Sequence, residues 1–446
     1  MLRISNKFMT IKTLSNVYST KNVHHNCKVL VVGGGTGGCS MAAKLSKKFN
    51  KSPNHVIIVE PSEVHYYQPM FTLVGGGLKE FSSSHRRMID VLPKNSQWLK
   101  DSVMTFDPES NKVITKNGDT IEYEIMLVAM GLQLNWNNIP GLVDALKNPE
   151  SQVCSIYSSE TVTKVFDKIK KTTNGPGIFT FPNSPVKCPG APQKIAYIAE
   201  DYWRKKKLRK QIDVIYNTSL PVIFGVKKYA DALWNVCDKR DIKVNVQTCL
   251  VEVKDDKHEA VFRNLKNPDE TFTKKYGFLH VVPPMGPPDA LKSNKLLTND
   301  AGFLCVDSQT LTHLKYKNIY GIGDCTSTPN SKTMAAIASQ SKVLYKNIMN
   351  DFSGTTNKLH YNGYASCPLV TGPGKCIMAE FDYNLQPLET FPVDQKNELW
   401  IMYYMKKELF PFLYWNFMLK GNWNGPEFLR KLLSIFKSKN KSKVTK

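Results

Sequence analysis

The strongest constraint on the fold is a glycine-rich turn between a short apolar run and a helical pattern near the start of the chain. Lys28 to Val32 reads KVLVV, Gly33 to Gly38 reads GGGTGG, and Met41 to Leu45 continues with residues typical of a helix. In this G-x-G-x-x-G pattern the first glycine permits a tight turn, the second lets a pyrophosphate approach the backbone, and the third allows close helix-to-strand packing. The order predicts a dinucleotide site at the edge of a parallel sheet.

Later parts of the chain favour one dinucleotide over another. A second apolar run, His55 to Val59, ends in Glu60, at the distance where a carboxylate binds a ribose hydroxyl. Ile125 to Gly131 (IMLVAMG) and Asn318 to Asp324 (NIYGIGD) read as further strands, and a small-residue helix, Thr333 to Ser339, follows. A distant acid at a strand end suits the ribitol chain of a flavin dinucleotide, because the first motif holds only the ADP half. The pattern therefore predicts FAD rather than NAD.

The middle of the chain lacks the second glycine turn that a nicotinamide dinucleotide would need for its own phosphates. The corresponding run, Gly177 to Gln193, reads as a strand followed by a loop with four prolines and Cys188. Beyond it, strand, helix and strand patterns continue to Gln247. We expect a second α/β domain that has no nicotinamide site.

Composition sets broader limits. The 446 residues are enough for two or three domains, and 60 Lys and Arg against 38 Asp and Glu give a formal net charge of +22. Such a charge attracts anionic membranes, acidic small molecules or nucleic acid, but the sequence has no nucleic-acid recognition motif. The ten cysteines form no C-x-x-C pair and no Cys/His spacing for zinc. We expect neither a nucleic-acid partner nor a metal site.

The two ends of the chain point to a membrane-associated mitochondrial protein. No Asp or Glu precedes Glu60, and basic residues are spaced among apolar, serine and threonine residues, which is typical of a transit peptide in residues 1–25; a basic N-terminus without a targeting role is the alternative. From Trp400 to Phe436, aromatic and aliphatic residues are mixed with lysines in a run too polar to span a bilayer. This composition favours a segment lying on one leaflet, and an amphipathic helix packed on the core is the alternative.

These features together resemble the mitochondrial sulfide:quinone oxidoreductases of animals, within the flavoprotein superfamily that contains glutathione reductase. The resemblance runs from Val29 to Lys431 and depends most on VEPSEVHYYQPMFTLVGGG, IFTFPNSPVKCPGAPQK, FGVKKYADAL, YGIGDCTSTPNSKT, YASCPLVTG and AEFDYNLQPLETFP. It implies an α/β protein with two Rossmann-like domains of the glutathione reductase type and a C-terminal amphipathic membrane-associating segment.

The resemblance also implies a division of the chain. The expected parts are a transit peptide (1–25), the first part of an FAD-binding domain (26–150), a second Rossmann-like domain without a nicotinamide turn (151–298), the second part of the FAD-binding domain (299–375), a quinone and membrane segment (376–436) and a basic tail (437–446).

The implied activity is the oxidation of hydrogen sulfide on the matrix side of the mitochondrial inner membrane. Two electrons would pass through FAD to ubiquinone, and the sulfane sulfur would pass to a small acceptor, namely glutathione, sulfite or coenzyme A. The main rival is an alternative NADH:quinone oxidoreductase, which would share the FAD motifs and the membrane segment but would need the second glycine turn.

The resemblance assigns the site residues. The redox cysteines fall on Cys188 in VKCPG and Cys367 in YASCPLVTG. Hydrosulfide would attack their disulfide and leave a persulfide on one cysteine and a thiolate on the other. The residues leave that order open, whereas the resemblance implies that Cys367 carries the persulfide and Cys188 faces the flavin. The implied FAD contacts are Gly33, Gly35, Thr36, Gly37, Gly38, Glu60, Gln68, Val103, Asp324, Lys332 and Thr333.

Overall fold

The computed structural model describes residues 22–434. The predicted transit peptide therefore lies almost entirely, and the predicted basic tail wholly, outside the described residues. The first strand begins at His24, two residues before the predicted domain start, because residues from His24 onward pair with the strand that begins at Thr120.

The described strands are β1 (His24–Val32), β2 (Val56–Val59), β3 (Val64–Tyr66), β4 (His85–Arg87), β5 (Gln97–Leu99), β6 (Val103–Asp107), β7 (Lys112–Thr115), β8 (Thr120–Val128), β9 (Gln133–Leu134), β10 (Val153–Cys154), β11 (Gly177–Phe181), β12 (Val214–Thr218), β13 (Ile242–Asn245), β14 (Thr248–Lys254), β15 (Glu259–Asn264), β16 (Thr271–Lys275), β17 (Phe278–His280), β18 (Met285–Gly286), β19 (Ile319–Gly321), β20 (Ala365–Gly372) and β21 (Lys375–Phe381).

The described α-helices are α1 (Thr36–Lys48), α2 (Phe71–Gly75), α3 (Met88–Val91), α4 (Leu142–Lys147), α5 (Ser159–Val162), α6 (Val165–Lys171), α7 (Ala191–Lys205), α8 (Lys227–Lys239), α9 (Asp289–Lys292), α10 (Met334–Phe352), α11 (Trp400–Tyr404) and α12 (Phe410–Leu413). Two π-helical segments, Met405–Leu409 and Tyr414–Met418, make residues 400–418 one continuous helix. Residues 427–434 are also helical.

The first sheet has the strand order β5-β2-β1-β8-β7-β6, and β19 pairs with the carboxyl end of β8, beyond the residues that pair with β7. Strand β1 runs parallel to both β2 and β8. Its side chains are buried on both faces: Val29 and Val31 belong to one core cluster, and Leu30 and Val32 belong to another. This explains the continuous apolar run, because central parallel strands are covered on both sides.

The second sheet is parallel throughout, in the order β10-β17-β11-β12-β13. The chain leaves the first sheet after β8, builds the second, and returns to the first at β19. The carboxyl end of β11 leads into the loop that contains Cys188, and the carboxyl end of β19 leads to Asp324.

Strands β20 and β21 form an antiparallel hairpin that packs against α7 and α10. The predicted boundary between residues 375 and 376 falls inside this hairpin. Ala365 lies opposite Phe381 in the strand pair, so both strands belong to one unit.

The helix of residues 400–418 has one face on the core and one face exposed. Tyr414, Trp415 and Met418 join the main core cluster. The exposed side chains Tyr404, Leu409, Phe412 and Phe417 follow one another at steps of five, three and five residues. Each five-residue step spans a π-helical segment, where one turn takes an extra residue, so these side chains stay on one side. In the described part of the chain, no helix combines the length and apolar character that crossing a bilayer requires.

Candidate active site

The glycine-rich turn of residues 33–38 joins β1 to α1 and has one open side. Gly33 has a φ of +101°, and its N–H donates to the carbonyl of Val59 at 2.9 Å. A Cβ on Gly38 would lie 1.8 Å from the carbonyl oxygen of Gly33, so the helix packs too closely for a side chain there. A Cβ on Gly35 would meet nothing within 4 Å. The turn is therefore packed on one side and open where a phosphate group would lie.

Glu60 follows β2 and forms the rim of this turn. Its Oε2 accepts a hydrogen bond from the N–H of Gly34 at 2.6 Å, and its Oε1 accepts one from the N–H of Ser62 at 2.7 Å. Burial raises the pKa of Glu60, and these two hydrogen bonds oppose that rise. Both carboxylate oxygens keep lone pairs that a hydroxyl group can still use.

A cavity of about 350 Å³ opens in front of the turn. Most of the residues predicted to contact the cofactor line it: Gly33, Gly35, Thr36, Gly37, Glu60, Gln68, Asp324, Lys332 and Thr333. The structure does not bring Gly38 or Val103 to this lining. Gly38 is covered by the turn, and the Val103 side chain is buried in the core under β6. A backbone contact from Val103 to an adenine stays a prediction.

Cys188 and Cys367 come together from distant parts of the chain. Cys188 lies in the loop between β11 and α7 with a φ of +51°, and its N–H donates to the carbonyl of Lys332 at 2.8 Å. Cys367 is buried on β20, close enough to Cys188 that each side chain shifts the pKa of the other. Gly190 permits this approach, since a Cβ there would lie 2.6 Å from the Sγ of Cys367.

The surroundings favour a thiolate on Cys188. The hydrogen bond with Cys367 holds the pKa of Cys188 well below its ordinary value; burial opposes this, and Lys194 lowers the pKa further. The same hydrogen bond, together with burial, raises the pKa of Cys367. The Nζ of Lys194 donates to the Sγ of Cys188 at 3.3 Å. These surroundings therefore favour a thiolate on Cys188, whose Sγ contacts the Lys194 amine, over a thiolate on Cys367.

Two further lysines surround this pair. Lys406 extends from the C-terminal helix and donates to the carbonyl of Pro69 at 2.7 Å, and burial lowers its pKa to about 8. Burial also lowers the pKa of Lys187 to about 8, against the opposing effect of Asp324. Burial raises the pKa of Asp324, which Lys332 and Lys187 counteract. The site thus holds several buried amines close to the carboxylate and the thiolate.

A hydrogen-bonded chain ties the C-terminal helix to the glycine-rich turn. The Oη of Tyr414 lies 2.8 Å from the Oγ1 of Thr36 and 2.6 Å from the Nε2 of His65. The Nδ1 of His65 lies 3.1 Å from the carbonyl oxygen of Gly34, which requires an N–H there. In the neutral imidazole, Nε2 then accepts from the hydroxyl of Tyr414. Burial lowers the pKa of His65 to about 4, in agreement with that assignment.

A second cavity, of about 200 Å³, lies under the C-terminal helix. Its lining is mostly apolar and aromatic and includes Met405, Phe410 and Leu413. It shares five residues with the first cavity, namely Pro69, Cys188, Lys194, Thr333 and Met334. The thiolate position and its lysine therefore lie where a polar and an apolar cavity adjoin.

Comparison with known proteins agrees with this arrangement. Residues 27–172 match the family of pyridine nucleotide-disulphide oxidoreductases. The chain is 48% identical over 408 residues to a mitochondrial sulfide:quinone oxidoreductase of Mus musculus, covering 92% of this chain and 90% of that protein. A relative of the same description from Dictyostelium discoideum is 41% identical over 428 residues, covering 96% and 93%. The chain belongs to the mitochondrial sulfide:quinone oxidoreductase family.

A solved structure shows the fold of the family. The sulfide:quinone oxidoreductase of Aquifex aeolicus superimposes with a TM-score of 0.76 at 20% identity, covering 93% of this chain and 95% of that chain. The α/β fold and the assignment to the flavin-dependent oxidoreductases that the sequence predicted are confirmed. This protein is accordingly a mitochondrial enzyme and a flavoprotein.

Sequence reasoning did not find several residues of this sulfide:quinone oxidoreductase site. No motif marks Lys194, His65 or Tyr414 as site residues, and the sequence places Lys406 only among the basic residues of the predicted membrane segment. One signal was present for Lys194, since it is a lone lysine on an otherwise apolar stretch of α7 that begins three residues after Cys188. Lys406 and Tyr414 carry no local signal. Within residues 22–434, no group of three or more His, Cys, Asp or Glu side chains is placed to hold a metal ion.

Proposed function

We propose that this enzyme oxidises hydrogen sulfide through a Cys188/Cys367 disulfide and reduces ubiquinone, with FAD between the two reactions. The observation that carries the proposal is the position of the cysteine pair. Cys188 lines both the cavity in front of the glycine-rich turn and the apolar cavity under the C-terminal helix. A cysteine pair at the place where the two cavities adjoin would have the dinucleotide on one side and an apolar oxidant on the other.

FAD fits the first cavity. The open side of Gly35 admits a pyrophosphate, Glu60 is held at the rim for a ribose hydroxyl, and Asp324 follows β19 at the far end. Thr36, Gly37, Gln68, Lys332 and Thr333 would complete the binding site. When bound, FAD supplies a two-electron acceptor that quinone can reoxidise. The two predicted parts of the FAD-binding domain, residues 26–150 and residues 299 to the start of β20, would together bind FAD. Residues 151–298 would form the second domain.

The cysteine pair performs the sulfur chemistry. Hydrosulfide attacks the Sγ of Cys367, a sulfur–sulfur bond forms, and the bond between Cys367 and Cys188 breaks with its electron pair left on Cys188. The products are a persulfide on Cys367 and a thiolate on Cys188. Transfer of the outer sulfur to a thiolate or sulfite acceptor leaves two reduced cysteines. Loss of two electrons from that pair restores the disulfide.

The electrostatics support this order of the two cysteines. In thiol–disulfide exchange the sulfur with the lower pKa is the better leaving group. Hydrogen bonding and Lys194 lower the pKa of Cys188, whereas the pKa of Cys367 is raised. Cys188 therefore leaves, and Cys367 receives the sulfane sulfur.

The acceptor that removes the sulfane sulfur would be small and anionic, such as glutathione, sulfite or coenzyme A. The net charge of +22 and the buried amines around the pair both favour an anion. A further cavity of about 450 Å³ lies against the loop before Cys188 and is lined by Pro185, Val186, Pro189 and Lys332. We assign the acceptor to this cavity of about 450 Å³, because the apolar cavity lies under the membrane-facing helix and would hold the quinone.

The C-terminal segment would hold the enzyme on one leaflet of the mitochondrial inner membrane, on the matrix side. Its exposed face carries large apolar side chains, with Trp400 64%, Phe412 55% and Phe428 76% exposed. Aromatic side chains of this kind favour the interface of a bilayer. The apolar cavity beneath the same helix would then receive ubiquinone from the lipid.

The backbone of the Cys188 loop argues against NADH as the electron donor. A phosphate site needs free N–H groups at the start of the helix. Here the N–H of Cys188 donates to the carbonyl of Lys332 and the N–H of Ala191 to the carbonyl of Cys188, and Pro192 has no N–H.

The test is the visible spectrum of the purified enzyme under anaerobic conditions. Sulfide should bleach the flavin absorbance and NADH should not, and added decylubiquinone should restore it. Cys188→Ser and Cys367→Ser should each lower sulfide-dependent quinone reduction by orders of magnitude with normal FAD content. Cys249→Ser is the matched control, because Cys249 lies on β14 and lines neither cavity beside the cysteine pair. Bleaching by NADH, or normal turnover in both serine variants, would refute the proposal.

A further inference from the structure

The apolar cavity under the C-terminal helix contains few polar side chains, and almost all of them are already engaged. Tyr364 donates to Glu380, and Glu380 also accepts from Thr390 and Gln395. Tyr414 bonds to His65 and Thr36, as described above. These groups have their hydrogen bonds within the protein and are not free to orient a ligand.

Each lysine and each remaining hydroxyl of this cavity has at least one partner in the protein, although the lysines keep further N–H groups. Lys406 donates to the carbonyl of Pro69, and Lys194 donates to Cys188. Thr333 caps α10 by accepting from the N–H of Ala336. Ser366 lies 3.8 Å from the sulfur of Met378.

Tyr67 is the exception. It lines the apolar cavity and is 1% exposed, yet its Oη has no hydrogen-bond partner among the described residues. Its ring packs against Tyr414 with 4.4 Å between centroids, which fixes the direction of the phenol. A buried hydroxyl without a partner is costly, so a ligand acceptor at this place would be favoured.

Two observations identify the ligand. Tyr67 lines the apolar cavity but not the cavity in front of the glycine-rich turn, so the ligand that lies beside it is the occupant of the apolar cavity. That occupant must combine an apolar body with a hydrogen-bond acceptor. A quinone ring has this chemistry, since its two carbonyl oxygens only accept. Burial raises the pKa of Tyr67, so the phenol stays protonated and remains a donor at neutral pH.

We propose that the Tyr67 hydroxyl donates a hydrogen bond to a carbonyl oxygen of the bound quinone and orients the ring toward the Cys188 end of the cavity. The inference rests on the proposed quinone site. It adds a specific binding residue, which selects ligands that have a carbonyl acceptor at that position.

The test is Tyr67→Phe, which removes only the hydroxyl. The KM for decylubiquinone should rise about tenfold, which corresponds to the loss of one hydrogen bond. FAD content, the rate of flavin bleaching by sulfide and turnover with ferricyanide should stay unchanged. The control is Tyr316→Phe, because Tyr316 lines neither of the two cavities; its KM should equal that of the parent enzyme.

The outcomes separate this inference from the proposed function. An unchanged KM in Tyr67→Phe overturns the inference, and so does a loss of FAD, which would place the hydroxyl on the cofactor. If sulfide fails to bleach the unmodified enzyme, the proposed function itself fails. If the variant does not fold, infrared spectra of carbonyl-labelled quinone bound to the unmodified enzyme decide. A carbonyl stretch below that of the free quinone in an apolar solvent supports the hydrogen bond, and an unshifted stretch refutes it.

Discussion

The ammonium nitrogen of Lys194 lies 3.3 Å from the Sγ of Cys188, and Lys194 is 2% exposed. Burial by itself would favour a neutral amine, but Cys188 and Cys367 raise the pKa of Lys194. The cation and the thiolate therefore stabilise each other where the two cavities adjoin.

Replacing this cation should shift the titration of Cys188. In Lys194→Met the pKa of Cys188 should rise by about 1–3 units, because a cation at this distance lowers a thiol pKa by that amount. The measurement is the pH dependence of alkylation of the reduced enzyme by iodoacetamide. Sulfide turnover at pH 7 should fall at least about tenfold, because the leaving thiolate loses its partner. In Lys205→Met, at the exposed end of the same helix, the midpoint should not move. An equal midpoint in both variants would contradict this account.

Gly190 should tolerate no side chain. A Cβ there would lie 2.6 Å from both the Sγ of Cys367 and the Cδ2 of Leu369, so Gly190→Ala must push β20 away from the Cys188 loop. Overpacking of this kind costs about 1–3 kcal/mol, which denaturant unfolding can measure. We also expect turnover to fall by more than an order of magnitude, since the two sulfurs separate. Gly225→Ala is the control, because the nearest atom to its Cβ would be 3.9 Å away. Full activity in Gly190→Ala would show that close packing at Gly190 does not hold Cys188 and Cys367 together.

His65 should make the protein less stable in acid. Its pKa is lowered to about 4 by burial, below the value of about 6.5 for an exposed histidine. The unfolded chain therefore binds a proton first as the pH falls. Stability is full above pH 6.5 and is lost toward pH 4, by up to about 3 kcal/mol. Unfolding by guanidinium chloride at several pH values measures the effect.

The matched comparison for this pH dependence is His65→Gln against His360→Gln, since His360 is exposed. His65→Gln should lose the part of the pH dependence of the unfolding free energy that His65 contributes. His360→Gln should show the same pH dependence as the parent enzyme. His280, whose pKa burial lowers to about 3, should leave a residual slope in both. If the two variants show the same slope, His65 titrates normally and the hydrogen-bonded chain through Tyr414 is not intact in solution.

The sequence predicts those parts of the site whose residues lie close together in the chain. The turn at Gly33, the acid after β2 and the loop that contains Cys188 each lie within one short stretch, so residue type and spacing were enough to find them. The Thr36–Tyr414 hydrogen bond joins residues 378 positions apart. Only the packing of the C-terminal helix onto α1 brings them together, and no local pattern encodes it.

The two interpretations of the C-terminal segment illustrate the same limit. Its composition allowed either a membrane segment or a helix packed on the core, and the structure shows that both faces exist. Trp415 is buried, while Phe412 and Phe417 are exposed. The π-helical segments shift the helical phase twice, so a regular helical period applied to the sequence could not separate these faces.

The exposed face should bind lipid. Replacing Trp400, Phe412 and Phe428 together by Asn removes its three most exposed aromatic side chains without touching the buried face. Co-flotation with cardiolipin-containing vesicles should fall at least about fivefold, and so should turnover with ubiquinone embedded in those vesicles. Bleaching of the flavin by sulfide should not change, because the cysteine pair lies on the inner side of the helix. Replacing Ile89, Met104 and Leu314, which are comparably exposed elsewhere, should leave flotation intact. Equal loss in both triple variants would mean that general hydrophobicity, rather than this face, binds the membrane.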